Sequence, residues 1–288
     1  MKRIIAVVLS LLFVLGLVGC GAETRVDISK AKSLADLKGA KIAAQAGTFH
    51  ADALKQIEDV QASTYPEFAD LLTALKSGAI DGYVAEEPTA RSVCQSDDTL
   101  TYIALKNNST GFTATPADVG IAIGLKTDSP LRAQMNEILA TITENQKIQL
   151  MEQMQTLANG GKLNSLALSS ETPAAPTGTL KVGMECAYEP YNWTEMSSGT
   201  LGEVAISGEG KDGLFANGYD VQVAQYVANK LGLKLEIYAI EWDSLLPALE
   251  AGTIDAIVAG MSPTEDREKV IDFTNTYYES NLVIITKK

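Results

Sequence analysis

Histidine is nearly absent from this 288-residue chain, which has one, and cysteine is scarce, with three. That supply argues against a centre built from several His and Cys ligands, so no metal and no cofactor is called for. Positive charge is in deficit: Lys and Arg number 23 against 36 Asp and Glu, which leaves a net charge of −13. Such a surface repels phosphate backbones, and no local basic cluster offsets it, so nucleic acid is set aside as a partner. Beyond the first twenty residues no apolar run reaches the length needed to cross a bilayer. No nucleophile elbow, phosphate-binding loop or zincin motif occurs. What remains is 46% hydrophobic and 20% charged, with 23 Gly and 9 Pro, the composition of a globular protein. The length suits one large or two mid-sized domains.

Lys2 and Arg3 precede an apolar run from Ile4 to Val18 that ends in Leu17-Val18-Gly19-Cys20. A basic start, a short apolar core and small residues at the cut describe an export signal over residues 1–19. The ending resembles the bacterial lipobox, whose Cys is lipidated and opens the mature chain; the alternative is an ordinary signal that contains a Cys. The lipobox implies an extracytoplasmic protein held to the cell membrane through acylated Cys20. Whether Cys94 and Cys186 pair is open from sequence. They are expected on different domains, which makes two unpaired thiols the default.

The stretch from Phe68 to Ala85 (FADLLTALKSGAIDGYVA) is echoed from Trp242 to Ala259 (WDSLLPALEAGTIDAIVA). Each predicts an amphipathic helix stopped by Gly78 or Gly252 and then a short apolar strand. The aromatic, Leu-Leu, Gly and Ile-Asp positions match in order, which favours two related halves over two generic units. Apolar strands of this kind suit a parallel sheet covered by helices, an α/β fold. Further strands are expected at 41–45, 119–125, 180–184, 233–239 and 282–286, and helices at 218–230, 130–142 and 146–157. Residues 159–178, rich in Gly, Ser, Thr, Ala and Pro, read as a flexible linker. Residues 194–217 read as a long surface loop or hairpin insertion.

Gly183-Met-Glu-Cys-Ala-Tyr-Glu-Pro-Tyr-Asn-Trp193, Gly218-Tyr-Asp-Val221, the Trp242 stretch, Ser262-Pro-Thr-Glu-Asp-Arg267 and Ile271-Asp-Phe-Thr274 resemble the first lobe of one family. It is the polar amino-acid-binding proteins (family 3) that serve ABC importers. Leu34-Ala-Asp-Leu-Lys-Gly39, Gln45-Ala-Gly-Thr48 and Ile80-Asp-Gly-Tyr-Val-Ala-Glu-Glu-Pro88 resemble its second lobe. The resemblance implies a two-lobe, type II periplasmic-binding-protein-like fold. The order departs from the family, because the second lobe comes first, and reads as a circular permutation. Residues 20–117 would be the second lobe, 118–158 the C-terminal part of the first, 159–178 the linker and 179–288 the main part of the first. The rival is a truncated or rearranged tandem product that needs a partner; each segment occurs once, which favours permutation. A chain so cut would keep one inter-lobe crossing, near Thr115 to Val119, and hold its lobes loosely.

In open parallel sheets ligands bind beyond the carboxyl ends of the strands. There the resemblance assigns Arg267 to a ligand carboxylate, a task its planar fork suits. Ser262 would add a hydroxyl and backbone N–H, Gly260 a carbonyl, and Thr48 and Phe49 a hydroxyl and backbone N–H. Glu86 falls at the ammonium-binding position, although a shift of one residue would give the role to Glu87. Tyr188 and Trp242 would wall the ligand's side chain, and Glu185 would meet a cationic one, suiting Arg, Lys or His. His50 is expected at the cleft rim, at the surface or behind the ligand contacts. The implied partners are a free amino acid, a membrane ABC permease and, through Cys20, the bilayer, with the protein a monomer. That reading is a binding protein, not an enzyme. The alternatives are an exported dehydratase of the cyclohexadienyl or arogenate kind on the same fold, with Glu185 or Glu86 as acid, or a ligand-sensing module.

Overall fold

The computed structural model describes residues 26–105 and 110–288; the export segment and Cys20 lie outside them. The two echoed stretches form the same unit twice. Phe68–Ser77 buries Phe68, Leu71, Ala74 and Leu75, and Trp242–Ala251 buries Leu245 and Leu249, spacings that make one helical face. Each helix ends at a left-handed glycine, Gly78 (φ 81°) or Gly252 (φ 76°), whose N–H reaches back to the last turn. The Asp that follows grips a neighbouring strand. Asp81 donates its N–H to Lys41 O and accepts from Lys41 N–H at Oδ2, both at 2.8 Å. Asp255 does the same with Lys181, at 2.8 and 2.9 Å. The internal likeness therefore extends to the strands Lys41–Gln45 and Thr179–Met184.

These units build two five-stranded sheets of one design. The first runs Gln61–Tyr65, Lys41–Gln45, Gly82–Glu86, Leu282–Lys287, Leu100–Ile103. The second runs Lys234–Ala239, Thr179–Met184, Ala256–Ile257, Gly124–Leu125, Asp272–Phe273. In both, the first three strands are parallel and the fourth is antiparallel to its two neighbours. In both, that fourth strand arrives from the opposite lobe. The two crossing segments pair antiparallel where they pass, Tyr278 opposite Ile121 and Glu279 opposite Gly120.

That arrangement corrects the expectation of one crossing near Thr115 to Val119. Leu282, Val283, Ile284, Ile285 and Thr286 are all buried, so the strand needs cover on both faces, and a central place in the first sheet supplies it. Residues 282–288 thus leave the lobe that 179–288 was expected to form, and the argument for loosely held lobes loses its premise. The strand expected over 119–125 is split into Gly120–Ile121 and Gly124–Leu125, one in the crossing and one in the sheet. Residues 159–178 form no helix or strand, yet they are docked. Leu168 is in the core, Gln153 bonds to Ser165 O and Ala167 N–H, and Asn229 bonds to Ser170. An apolar anchor among polar residues overrides the compositional reading of a free linker. The insertion over 194–217 is a hairpin, with Val204–Ala205, Phe215–Asn217, Asn192–Glu195 and Ala187–Tyr188 in one antiparallel sheet. Cys94 and Cys186 are both free thiols. Among the described residues no helix is long and apolar enough to cross a membrane.

Candidate functional site

The carboxyl ends of the parallel strands converge on one cleft. Gln45 and Glu86 end two strands of the first sheet; Glu185 follows Met184, and Ala259 to Ser262 follow Ala256–Ile257, in the second. Between them lies a narrow cavity of about 20 Å³. All nine residues singled out from the sequence as ligand contacts line it: Thr48, Phe49, Glu86, Glu185, Tyr188, Trp242, Gly260, Ser262 and Arg267. So do Gln45, His50, Phe68 and Ala259. A larger groove of about 320 Å³ is lined by Tyr278 and Glu279 of one crossing, but its Arg91 and Glu87 pair with each other at 2.5 Å. Of the two glutamates, Glu86 lines the cleft and Glu87 the other groove.

Arg267 comes from the short helix Glu265–Glu268 and is 9% exposed. Its Nη1 donates to Ser262 O at 2.8 Å and its Nη2 reaches across the cleft to Gly47 O at 2.9 Å. The guanidinium lies 5.1 Å over the Trp242 ring, whose Nε1 also donates to Gly47 O. Burial lowers its pKa to about 10, with Asp52 opposing, so it stays charged at neutral pH. Its hydrogen bonds go to neutral carbonyls, which leaves a buried cation with charge to offer an anion.

Glu86 is 5% exposed. One oxygen, Oε1, lies 3.0 Å from His50 Nε2, and the other, Oε2, is buried with no partner among the described residues. An unmet carboxylate oxygen in a dry site is costly, and a ligand ammonium is a group that would meet it. Glu185 lies across the cleft from Gln45, whose amide donates to its Oε1 at 2.8 Å. Desolvation pushes its pKa up to about 7; Gln45 works against this, and the charges of Glu67 and Asp243 add to it.

Three placements differ from expectation. Tyr188 stacks on Phe68 at 4.0 Å and 12°, while Trp242 lies under Arg267, so the two expected walls do not face each other as a pair. The Ser262 and Thr48 hydroxyls are turned to backbone, Ser262 Oγ to Asp118 O (2.9 Å) and Thr48 Oγ1 to Gln45 O (2.7 Å). His50 is 6% exposed rather than at the rim, because the Phe49–Ala53 helix turns it inward onto Glu86 and the edge of Phe68. Phe68 was within reach of sequence reasoning, since it is the counterpart of Trp242 in the repeat. Gln45 was too, as it ends a parallel strand in the place Glu185 holds in the other half.

Two α/β lobes joined by paired crossings thus place a polar cavity where their strands end. Residues 208–288 match the family model of the bacterial extracellular solute-binding proteins, family 3. The chain is 38% identical over 80 residues to the arginine-binding extracellular protein ArtP of Bacillus subtilis, covering 28% of this chain and 31% of that protein. It is 34% identical over 111 residues to the L-cystine-binding protein TcyA of the same organism, covering 38% and 35%. The chain thus spans about a third of the length of these curated relatives. Among solved structures, the ancestral amino acid-binding protein AncCDT-1, a precursor of cyclohexadienyl dehydratase, is 29% identical. That match covers 32% of this chain and 34% of the other, with a TM-score of 0.25.

Proposed function

We propose that the protein is the substrate-binding component of an ABC importer and captures an L-amino acid, with a cationic one preferred, between its two lobes. One observation carries the reading: the same inter-lobe cavity holds a buried guanidinium bonded to carbonyls and a buried carboxylate oxygen with no partner among the described residues. These are the complements of the two charges of a zwitterion. Arg267 takes the carboxylate and Glu86 the ammonium. Glu185 takes a cationic side chain, releasing Gln45. The names of two relatives, an arginine-binding and an L-cystine-binding protein, support an amino acid as cargo. The protein works as a monomer outside the cytoplasm, tethered by acylated Cys20, and hands its ligand to a permease. Its segments follow the family in circularly permuted order, a reading supported by both sheets taking a fourth strand from the other lobe.

Calorimetry with the twenty L-amino acids and L-cystine tests this, beside Arg267→Ala and Glu86→Gln. The expected result is one or a few ligands, arginine or lysine among them, with binding lost in both variants. Full-strength binding by Arg267→Ala would remove the assignment. The enzymatic alternative on Glu185 or Glu86 would show as ligand consumed during long incubation, where binding alone returns it unchanged.

A further inference from the structure

We propose that Asp220 and Asn192 are positioning residues for the cation site: the carboxylate fixes the Asn192 amide, and the amide holds the left-handed turn at Cys186 from which Glu185 enters the cleft. The proposal rests on Glu185 meeting a cationic side chain. Asp220 is fully buried and does not line the cavity. Its Oδ1 accepts from the Tyr277 hydroxyl at 2.6 Å, and its Oδ2 accepts from Asn192 Nδ2 at 2.8 Å. Desolvation pushes its pKa up to about 7; the Tyr277 hydroxyl, the Asn192 amide and the Gly260 N–H oppose this, and the charge of Glu86 adds to it. A buried carboxylate is a costly acceptor, so its place needs a reason beyond filling space.

The reason lies in what an amide can do. Asn192 is also fully buried, and its two ends differ: Nδ2 donates and Oδ1 accepts. An ionised carboxylate only accepts, so it keeps Nδ2 on its own side and turns Oδ1 to the Cys186 N–H, 2.8 Å away. Thr194 Oγ1 donates to the Cys186 carbonyl at 2.9 Å, which holds that residue from both ends. Cys186 has φ 58°, a conformation unfavourable to a residue with a Cβ and kept only where neighbours hold it. It stands between Glu185 and Tyr188, both of which line the cavity. The Asp220 backbone docks nearby, its N–H on Tyr191 O at 2.8 Å, an approach that Gly218 permits because a Cβ there would collide with Tyr191 O. With the amide turned over, its NH2 would face the Cys186 N–H, the turn would relax, and Glu185 would lose its place opposite Gln45.

Amide exchange tests the turn without any ligand. In protein labelled with ¹⁵N-cysteine at about pH 8, where Asp220 is ionised, the Cys186 N–H signal is expected to persist while open loop amides are lost to exchange with water. It is expected to fade in Asp220→Asn. It is expected to return when Asn192→Asp is added, because the exchanged pair again sets one carboxylate against one amide and leaves an acceptor for Cys186. A wild-type Cys186 amide that exchanges as an open loop does would overturn the proposal, and that result needs no variant to fold. Binding is read by calorimetry at the same pH with L-arginine and L-citrulline, its neutral near-isostere. Asp220→Asn is expected to shrink the preference for arginine by about tenfold, the low end of what a charge-assisted bond is worth, and to change nothing further when Glu185→Gln is already present. Equal weakening of both ligands, or no return in the exchanged pair, would make Asp220 a structural residue only and sink the role. Wild type binding the two ligands alike would instead remove the cation reading of Glu185, and the exchange result would still decide the turn.

Discussion

Replacing Glu185 by Gln is expected to make the free protein more stable while making it a poorer receptor for cations. The carboxyl sits in the cleft with a neutral amide from Gln45 as its hydrogen-bond donor, and desolvation pushes its pKa from 4.5 to about 7. Below pH 4.5 it is protonated in the folded and unfolded chain alike. Between 4.5 and 7 the unfolded chain gives up the proton while the folded one keeps it, so stability falls as pH rises through that window and stays lowered above it. A shift of this size corresponds at the limit to about 3 kcal/mol, and partial exposure to water brings it to about 1–2 kcal/mol. Gln can still accept from Gln45, so the comparison isolates the charge. Urea unfolding followed by tryptophan fluorescence at pH 4, 6 and 8 is expected to give a gain near zero, then partial, then about 1–2 kcal/mol. A gain that is the same at all three values would assign it to packing, and a loss at pH 8 would refute the reasoning. The same variant is expected to lose affinity for arginine and lysine by about 1–3 kcal/mol, the usual worth of a charge-assisted hydrogen bond. A side chain held where it costs stability is what a site built for a cationic ligand requires.

The other predictions follow from single contacts. Asp81→Ala strips the acceptor from the N–H groups of both Lys41 and Val26 and is expected to cost about 2–4 kcal/mol in unfolding experiments. Asp255→Ala removes the acceptor of Lys181 alone and is expected to cost about half as much. Phe68→Leu abolishes the stack on Tyr188 and is expected to weaken ligand binding by about 1 kcal/mol, read by calorimetry against an unchanged fold. Because Val26 N–H and Thr286 Oγ1 both bond to Asp81, a chain joined from Lys288 to Val26 by a short Gly/Ser linker and reopened within residues 171–176 is expected to fold and bind as the parent does. Failure of that re-cut chain, with soluble but unfolded product, would count against the permuted order.

What could be read in the sequence was local. The helices at Phe68 and Trp242 announce themselves by leucine spacing and a terminal glycine, and the strand at Gly82–Glu86 by an apolar run with nowhere to go but a core. The partners of such runs are not local. Leu282 to Thr286 has the same composition whichever sheet it joins, and its antiparallel place between Gly82–Glu86 and Leu100–Ile103 depends on where the crossing at Tyr278 directs it. Leu168, one apolar residue amid serines and prolines, is too little signal to show that residues 159–178 are pinned. At the site, the residues were legible through resemblance and their shared cavity through the strand-end rule. Their mutual contacts were not, because a hydroxyl such as Ser262 Oγ can turn to a backbone carbonyl without any trace in residue type.

Those contacts bear on how the cleft would work. Arg267 and Trp242 from one lobe converge on Gly47 O of the other, Gln45 reaches Glu185, and Phe68 covers Tyr188. Each is a bond or stack that engages a group assigned to the ligand, so an amino acid entering the cleft would exchange contacts rather than add them. The net gain is then concentrated where exchange replaces a poor partner by a good one: carbonyl by carboxylate at Arg267, amide by cation at Glu185, and nothing by ammonium at Glu86 Oε2. Apolar contacts change little on exchange, because Phe68 and Tyr188 are covered in either case. Selectivity in such a site comes from charge, and a neutral amino acid of the same size would lose the Glu185 exchange alone. It is expected to bind more weakly than arginine by the same 1–3 kcal/mol, roughly, that separates wild type from Glu185→Gln.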